Sequence, residues 1–391
     1  MVLLSFAKIT RSLRYKPNMN KIYLRGLDGL RGIAAMLVIV GHVELLKKVF
    51  NLNNIYDGGG LFFLYLGDLS VTFFFVLSGF LITFLLITER EKKDKISIKN
   101  FYLRRILRIW PVYYILFFCG FIILPLISSS TFLLPKAIPN GNYWNSFLFN
   151  VVLLPNFSKT SNPVAFQSWS IGVEEQFYIL WPLLLSRIHS LKKLSLIMGG
   201  IVIGVYLLRS GIYLNNSSIL NWPFLNTINK FFAESRFDNM ATGGILAILF
   251  YMKPNYKLPF ILKIFIIIIT GLILIKTSTI GFGIDNPLAA IVFASLIFMV
   301  INTKAPMFLE SSVLKFLGKI SYGLYMYHVI GIILAINLIV YLNPLFDGKG
   351  FYSNMLLYIM SVSISVFISY LSYNLMEKRI LKFKDRLSNK F

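Results

Sequence analysis

Long apolar runs, separated by short polar and basic connectors, set the pattern of this chain from end to end. About 20 predominantly apolar residues in helical form cross about 30 Å of hydrocarbon. Stretches of that kind recur at 31–48, 69–88, 109–128, 171–187, 195–214, 238–252, 259–277, 287–303, 321–342 and 354–376. They predict an all-α protein, a polytopic membrane helix bundle of about ten transmembrane helices. The run "WNSFLFNVVLLP" at 144–155 is too short to cross and is expected at the interface or as a re-entrant piece. No polar segment is long enough for a soluble domain. One integral membrane domain is therefore expected over 1–391, with basic tails at 1–23 and 379–391 around a transmembrane core at 24–378.

Composition agrees with that pattern. The chain is 57% hydrophobic with a mean hydropathy of +0.71, far from an ordinary soluble domain. The net charge of +23 would suit nucleic acid, but its distribution argues against that partner. Basic residues gather in the N-terminal tail (Lys8, Arg11, Arg14, Lys16, Lys21, Arg25), between spans two and three (Arg90, Lys92, Lys93, Lys95, Lys99, Arg104, Arg105, Arg108) and after the last span (Lys378, Arg379, Lys382, Lys384, Arg386, Lys390). Ten crossings with both termini cytoplasmic put every dense cluster on the cytoplasmic side, where it meets anionic lipid headgroups. The 209–237 loop, with Arg209, Lys230 and Arg236, is a mild exception. Cys119 is the single cysteine and says nothing of redox compartment. The N-terminus does not read as a cleaved signal peptide, because its charge follows its apolar part.

An ionisable side chain inside a span costs free energy unless partnered or hydrated, so each marks a candidate site. "RGIAAMLVIVGH" at 31–42 sets Arg31 and His42 eleven residues apart. On a helix that step rises about 16 Å and returns to the same face within about 20°. His42 alone is as readily a packing histidine as a functional one; Asp28, Arg31 and Glu44 on the same helix tilt the balance towards function. His328, in "GKISYGLYMYH", is expected to be a packing contact, and His189 a surface residue. Arg105 and Arg108, three apart, share a face where span three begins. They serve either as lipid-phosphate anchors, with Trp110, Tyr113 and Tyr114 as the aromatic belt, or as a paired guanidinium clamp for a phosphorylated ligand. Glu174 and Glu175, in "QSWSIGVEEQFYILWP", point about 100° apart, so one at most faces a given site.

Taken in order, "LDGLRGIAAMLVIVGH", "FFFVLSGFLI", "RRILRIWPVYY", "WSIGVEEQFYILWP" and "LGKISYGLYMYH" resemble the signature blocks of the acyltransferase-3 family of integral membrane acyltransferases. The resemblance runs from about residue 24 to 378. It implies transfer of an acyl group, commonly acetyl from acetyl-CoA, to a hydroxyl of a carbohydrate such as lipopolysaccharide, exopolysaccharide or peptidoglycan. The implied setting is the bacterial inner membrane. It further implies His42 as the motif histidine, Arg31 as its paired arginine, Arg105 and Arg108 as an Arg-x-x-Arg pair, and Glu174 as the acid of the fourth block. Acyl-CoA enters as co-substrate; no permanent cofactor or metal is expected. The chain ends shortly after the last span, without the extracytoplasmic esterase-like domain of many relatives, so direct transfer to the final acceptor is expected.

On this reading Arg105 and Arg108 bind the CoA phosphates. His42 is the general base or a transient acyl carrier, Glu174 orients it, and Arg31 contacts CoA or Asp28. The competing reading is a carrier or flippase for polysaccharide intermediates, although no internal repeat of the kind transporters show is visible.

Overall fold

A computed structural model of the chain describes residues 23–54, 60–123, 126, 143–158, 164–215, 235–254, 256–280, 287–302 and 306–382. Most of the N-terminal basic tail, Lys230 and the end of the C-terminal tail lie outside the described residues. All ten expected apolar segments are helical: α1 Leu27–Val49, α2 Gly60–Lys93, α3 Ile98–Phe118, then, after the short helix α4 Tyr143–Val151, α5 Trp169–Arg187, α6 Leu191–Asn215, α7 Phe237–Met252, α8 Phe260–Ile280 and α9 Pro287–Asn302, and, after the short α10 Ser312–Lys319, α11 Ser321–Leu342 and α12 Phe351–Ser372. No strand occurs among the described residues. Six helices are long and apolar enough to cross a membrane, and three more are shorter apolar helices. The helix Trp169–Arg187, which carries Glu174 and Glu175, belongs to neither group. The chain is a multi-pass membrane protein.

Boundaries move outward from the expected ones where polar residues continue a helix. α2 begins at Gly60 and runs to Lys93, and α3 begins at Ile98, so Arg104, Arg105 and Arg108 all sit on helix. The stretch near 144–155 forms α4 and a 3-10 turn Pro155–Phe157, too short to cross, as expected.

Close backbone approach organises the bundle, as it must where lipid supplies little drive for helices to associate. α2 and α7 pack most extensively. There a Cβ on Gly79 would overlap the Met240 carbonyl and one on Gly243 the Val76 carbonyl. α1 crosses α10 and the 3-10 turn Met307–Glu310 ahead of it in the same way, Gly318 lying on the Asp28 carbonyl and Gly29 on that of Leu309. Gly32 faces the Leu314 carbonyl, so both glycines of "LDGLRG" face a backbone. α11 lies on α12 along a buried serine row, Ser361, Ser365 and Ser369, whose Ser365 and Ser369 hydroxyls donate to the carbonyls of Ser361 and Ser365.

Polar anchors fix the rest. Arg90, assigned to the basic cluster by sequence, is buried and donates to the carbonyls of Leu185 and Ile188 at 3.0 and 2.9 Å, capping the end of α5. At the far end of α1, the buried Lys47 ammonium donates to Glu44 (3.0 Å), Asn354 (2.8 Å) and the Gly348 carbonyl (3.1 Å). Trp181 of α5 donates to Thr83 of α2, and Tyr322 of α11 to the Ile109 carbonyl of α3.

Candidate active site

α1 and α11 run side by side in the same direction, and two contacts define their shared seam. At one end the Arg31 guanidinium donates to Ser321 at 3.0 Å and lies 3.6 Å from Asp28. At the other, the rings of His42 and His328 lie 4.8 Å apart. Arg31 and His42 therefore share a face, as the eleven-residue step requires.

The Arg31 end opens into a cleft of about 150 Å³ between α1, α2, α3, α5 and α11. Arg105, Arg108, Ser78, Glu174, Tyr178 and Tyr325 line it together with Arg31. The three arginines expected to bind a ligand thus converge from two helices on one space. Arg105 is clasped between the Phe101 and Tyr178 rings, its Cζ 5.4 and 5.1 Å from their centroids. Such stacking fixes the plane of a guanidinium and leaves its edge for an anion. Arg108 is exposed. The cleft is smaller than the roughly 300–1,000 Å³ of pockets that enclose a drug-sized ligand, so it takes part of a large ligand and leaves the remainder outside.

Glu174 belongs to this cleft, which corrects its expected pairing with His42. Its carboxylate accepts from Ser78 (2.8 Å) and Tyr178 (2.6 Å), and among the described residues no hydrogen bond joins it to His42. The helix phase holds, since Glu174 faces inward while Glu175 turns to α3 and accepts from Trp110 at 3.3 Å. The depth does not. Phe166, in the turn ahead of α5, is the residue that reaches the His42 ring; Ser170, one turn before Glu174, lines the same cleft and lies 2.6 Å from the Tyr325 hydroxyl.

His328, expected as a helix-packing contact, is fully buried with its ring against His42 of α1. Its Nδ1 lies 2.7 Å from the Tyr325 carbonyl, and its Nε2 has no partner among the described residues. His42 places its Nδ1 2.8 Å from the Val38 carbonyl. A carbonyl only accepts, so in each neutral ring Nδ1 carries the hydrogen and Nε2 the lone pair. Phe166 covers the other side of His42, ring centroids 5.3 Å apart. The next residue, Gln167, donates to the Met326 carbonyl and holds that turn on α11. His189 is exposed, as expected.

Between the two ends runs a polar-aromatic seam. Tyr325 lines the cleft, touches Ser170 and the Gln167 carbonyl, and stacks 5.9 Å from His328. Sequence reasoning missed Ser78, Tyr178, Ser170, Phe166 and Tyr325 as site residues. All but Phe166 lie inside quoted motif blocks, but an uncharged hydroxyl within an apolar run carries no signal of the kind an intramembrane charge does.

Known proteins resemble this chain over much of its length. Peptidoglycan O-acetyltransferase OatA of Listeria monocytogenes is 32% identical over 213 residues, 51% of this chain and 29% of its own. O-acetyltransferase OatA of Staphylococcus aureus strain NCTC 8325 is 26% identical over 381 residues, 92% of this chain and 57% of its own. A protein of Staphylococcus aureus strain COL that carries an O-acetyltransferase name is 28% identical over 381 residues, 91% of this chain and 57% of its own. The chain thus spans little more than half the length of the two Staphylococcus aureus relatives. No solved structure matches it. The acyltransferase domain profile of the acyltransferase-3 family covers residues 24–374, all the helices that build the cleft and the histidine pair, and the chain belongs to that family.

Proposed function

We propose that this protein transfers an acyl group, acetyl first among candidates, from acyl-CoA to a hydroxyl of a cell-surface glycan. One observation supports this above others: three arginines converge on a cleft at one end of the α1–α11 seam, and His42 stands at the other end, about 16 Å along the helix. With both termini cytoplasmic, in a bacterial inner membrane, the arginine cleft faces the side where CoA resides. Arg31, Arg105 and Arg108 hold its phosphates by charge-assisted hydrogen bonds. The pantetheine arm follows the seam past Tyr325 and brings the thioester to His42, whose Nε2 lone pair acts as base or nucleophile. The name of the Listeria relative favours peptidoglycan as the glycan; lipopolysaccharide and exopolysaccharide are the alternatives.

The test is acetyl transfer by purified protein in lipid nanodiscs, offered radiolabelled acetyl-CoA and each glycan in turn. Wild type labels the acceptor and His42→Ala does not, at equal yield and thermal midpoint. Substantial transfer by folded His42→Ala, or glycan movement across vesicles without acylation, would overturn this function.

A further inference from the structure

His42 has a second imidazole beside it, and the proposed reaction needs two proton-accepting or nucleophilic events. Resting on the acyltransferase reading, we infer that the two histidines divide the work: His42 carries the acyl group, and His328 is the base that deprotonates the acceptor hydroxyl.

The geometry carries this. Both rings are locked in the same tautomer by carbonyls of their own helices, His42 by Val38 and His328 by Tyr325. Each therefore presents Nε2 as a lone pair, and the rings are 4.8 Å apart. A histidine kept only for packing has no need of an unpartnered nitrogen. A buried acceptor left unsatisfied costs about 1–3 kcal/mol, and that of His328 has no partner among the described residues. The carboxylate expected to assist His42 accepts instead from Ser78 and Tyr178 at the arginine cleft. His328, its ring 4.8 Å from that of His42, is a group beside it that can accept a proton.

The steps balance as follows. The His42 Nε2 lone pair attacks the thioester carbonyl; a C–N bond forms, the C–S bond breaks, and CoA leaves as thiolate. With Nδ1 still protonated, the acyl-imidazole is cationic and reactive. The acceptor oxygen then attacks the acyl carbon while its proton passes to Nε2 of His328. The C–N bond breaks and its electron pair returns to His42. The proton reaches the thiolate by way of water, so thioester and alcohol become ester and thiol.

The experiment follows label on the protein by rapid quench, using wild type, His42→Gln and His328→Gln in nanodiscs with radiolabelled acetyl-CoA, with and without soluble peptidoglycan fragments. Without acceptor, wild type holds label on His42, and adding acceptor discharges it. His328→Gln takes label as fast as wild type but discharges it about a hundredfold or more slowly, the low end of what a positioned base contributes. His42→Gln takes none. Discharge of His328→Gln at the wild-type rate, or equal loss of labelling and discharge, overturns the role of His328 while wild-type transfer keeps the acyltransferase reading intact. Wild-type transfer without any labelled protein also overturns the division of labour. Absence of transfer by wild type from acetyl-CoA overturns both readings. Should His328→Gln not fold, His328→Asn takes its place, and the acceptor-free labelling of wild type decides independently of either variant.

Discussion

Arg105 shows how much a single side chain can be prepared before a ligand arrives. Its guanidinium is stacked on Phe101 and Tyr178, so its plane is set while its charge faces the cleft. Lysine keeps the charge and loses both the stacking plane and the two-pronged edge. Arg105→Lys, with or without Arg108→Lys, is expected to raise the KM for acyl-CoA at least about tenfold, roughly 1.4 kcal/mol, with kcat nearly unchanged. Steady-state kinetics check this, and wild-type KM would assign both residues to lipid anchoring. Glu174 belongs to the same end of the site. Glu174→Gln, which keeps the contacts to Ser78 and Tyr178 but removes a negative charge among arginines, is expected to change acyl-CoA affinity several-fold and leave the chemical step alone. Glu175→Gln does little to either in the same assay. The identities of the charged residues were legible in the sequence, because lipid makes every intramembrane charge conspicuous. The partner of Glu174 was not, since periodicity gives the face of a helix and not its depth against its neighbours.

At the scale of the element, glycine decides which helices touch. Gly79 and Gly243 each lie on a carbonyl of the facing helix, and overpacking at such a crossing has no flexible side chain to absorb it. Gly79→Val is expected to force α2 and α7 apart and abolish monodisperse protein in size-exclusion chromatography. Gly200→Ala, on an open stretch of α6 with no neighbour within 4 Å, is expected to leave the thermal midpoint equal or slightly higher, by the better helix propensity of alanine. The ten apolar segments were legible as helices because each runs for many turns. Their ends were less so: α3 starts eleven residues ahead of its expected position at 109, since the amphipathic "FYLRRILR" continues the helix on a polar face. The eight-residue α10 is too short for its apolar residues to register among the long runs. The role of Arg90 as a helix cap was equally hidden, because a basic residue near a span end reads first as an orientation signal.

For the molecule as a whole, the buried Lys47 ties the first long helix to the last. Its partners Gly348 and Asn354 lie 301 and 307 residues away in sequence, and Tyr358 adds a 2.9 Å bond to Glu44. Removing one member of a buried pair strands the other, at a cost of about 3–5 kcal/mol. Lys47→Ala is expected to lower the thermal midpoint of the purified protein substantially, whereas Lys47→Met combined with Glu44→Gln recovers much of the loss. A midpoint unchanged in Lys47→Ala would show that the network contributes nothing. The histidine pair lies beside this tie, α1 supplying His42 and α12 backing the α11 that supplies His328.

The Lys47 network also has a history within each molecule's synthesis. A ribosome adds about 5–20 residues per second, so α1 reaches the membrane some 15–60 s before the carbonyl of Gly348 and the side chain of Asn354 exist. Through that interval the ammonium of Lys47 has Glu44, three residues away, as its sole companion from this network. A chain halted before residue 348 therefore leaves that ammonium without the Gly348 and Asn354 acceptors it has in the finished bundle.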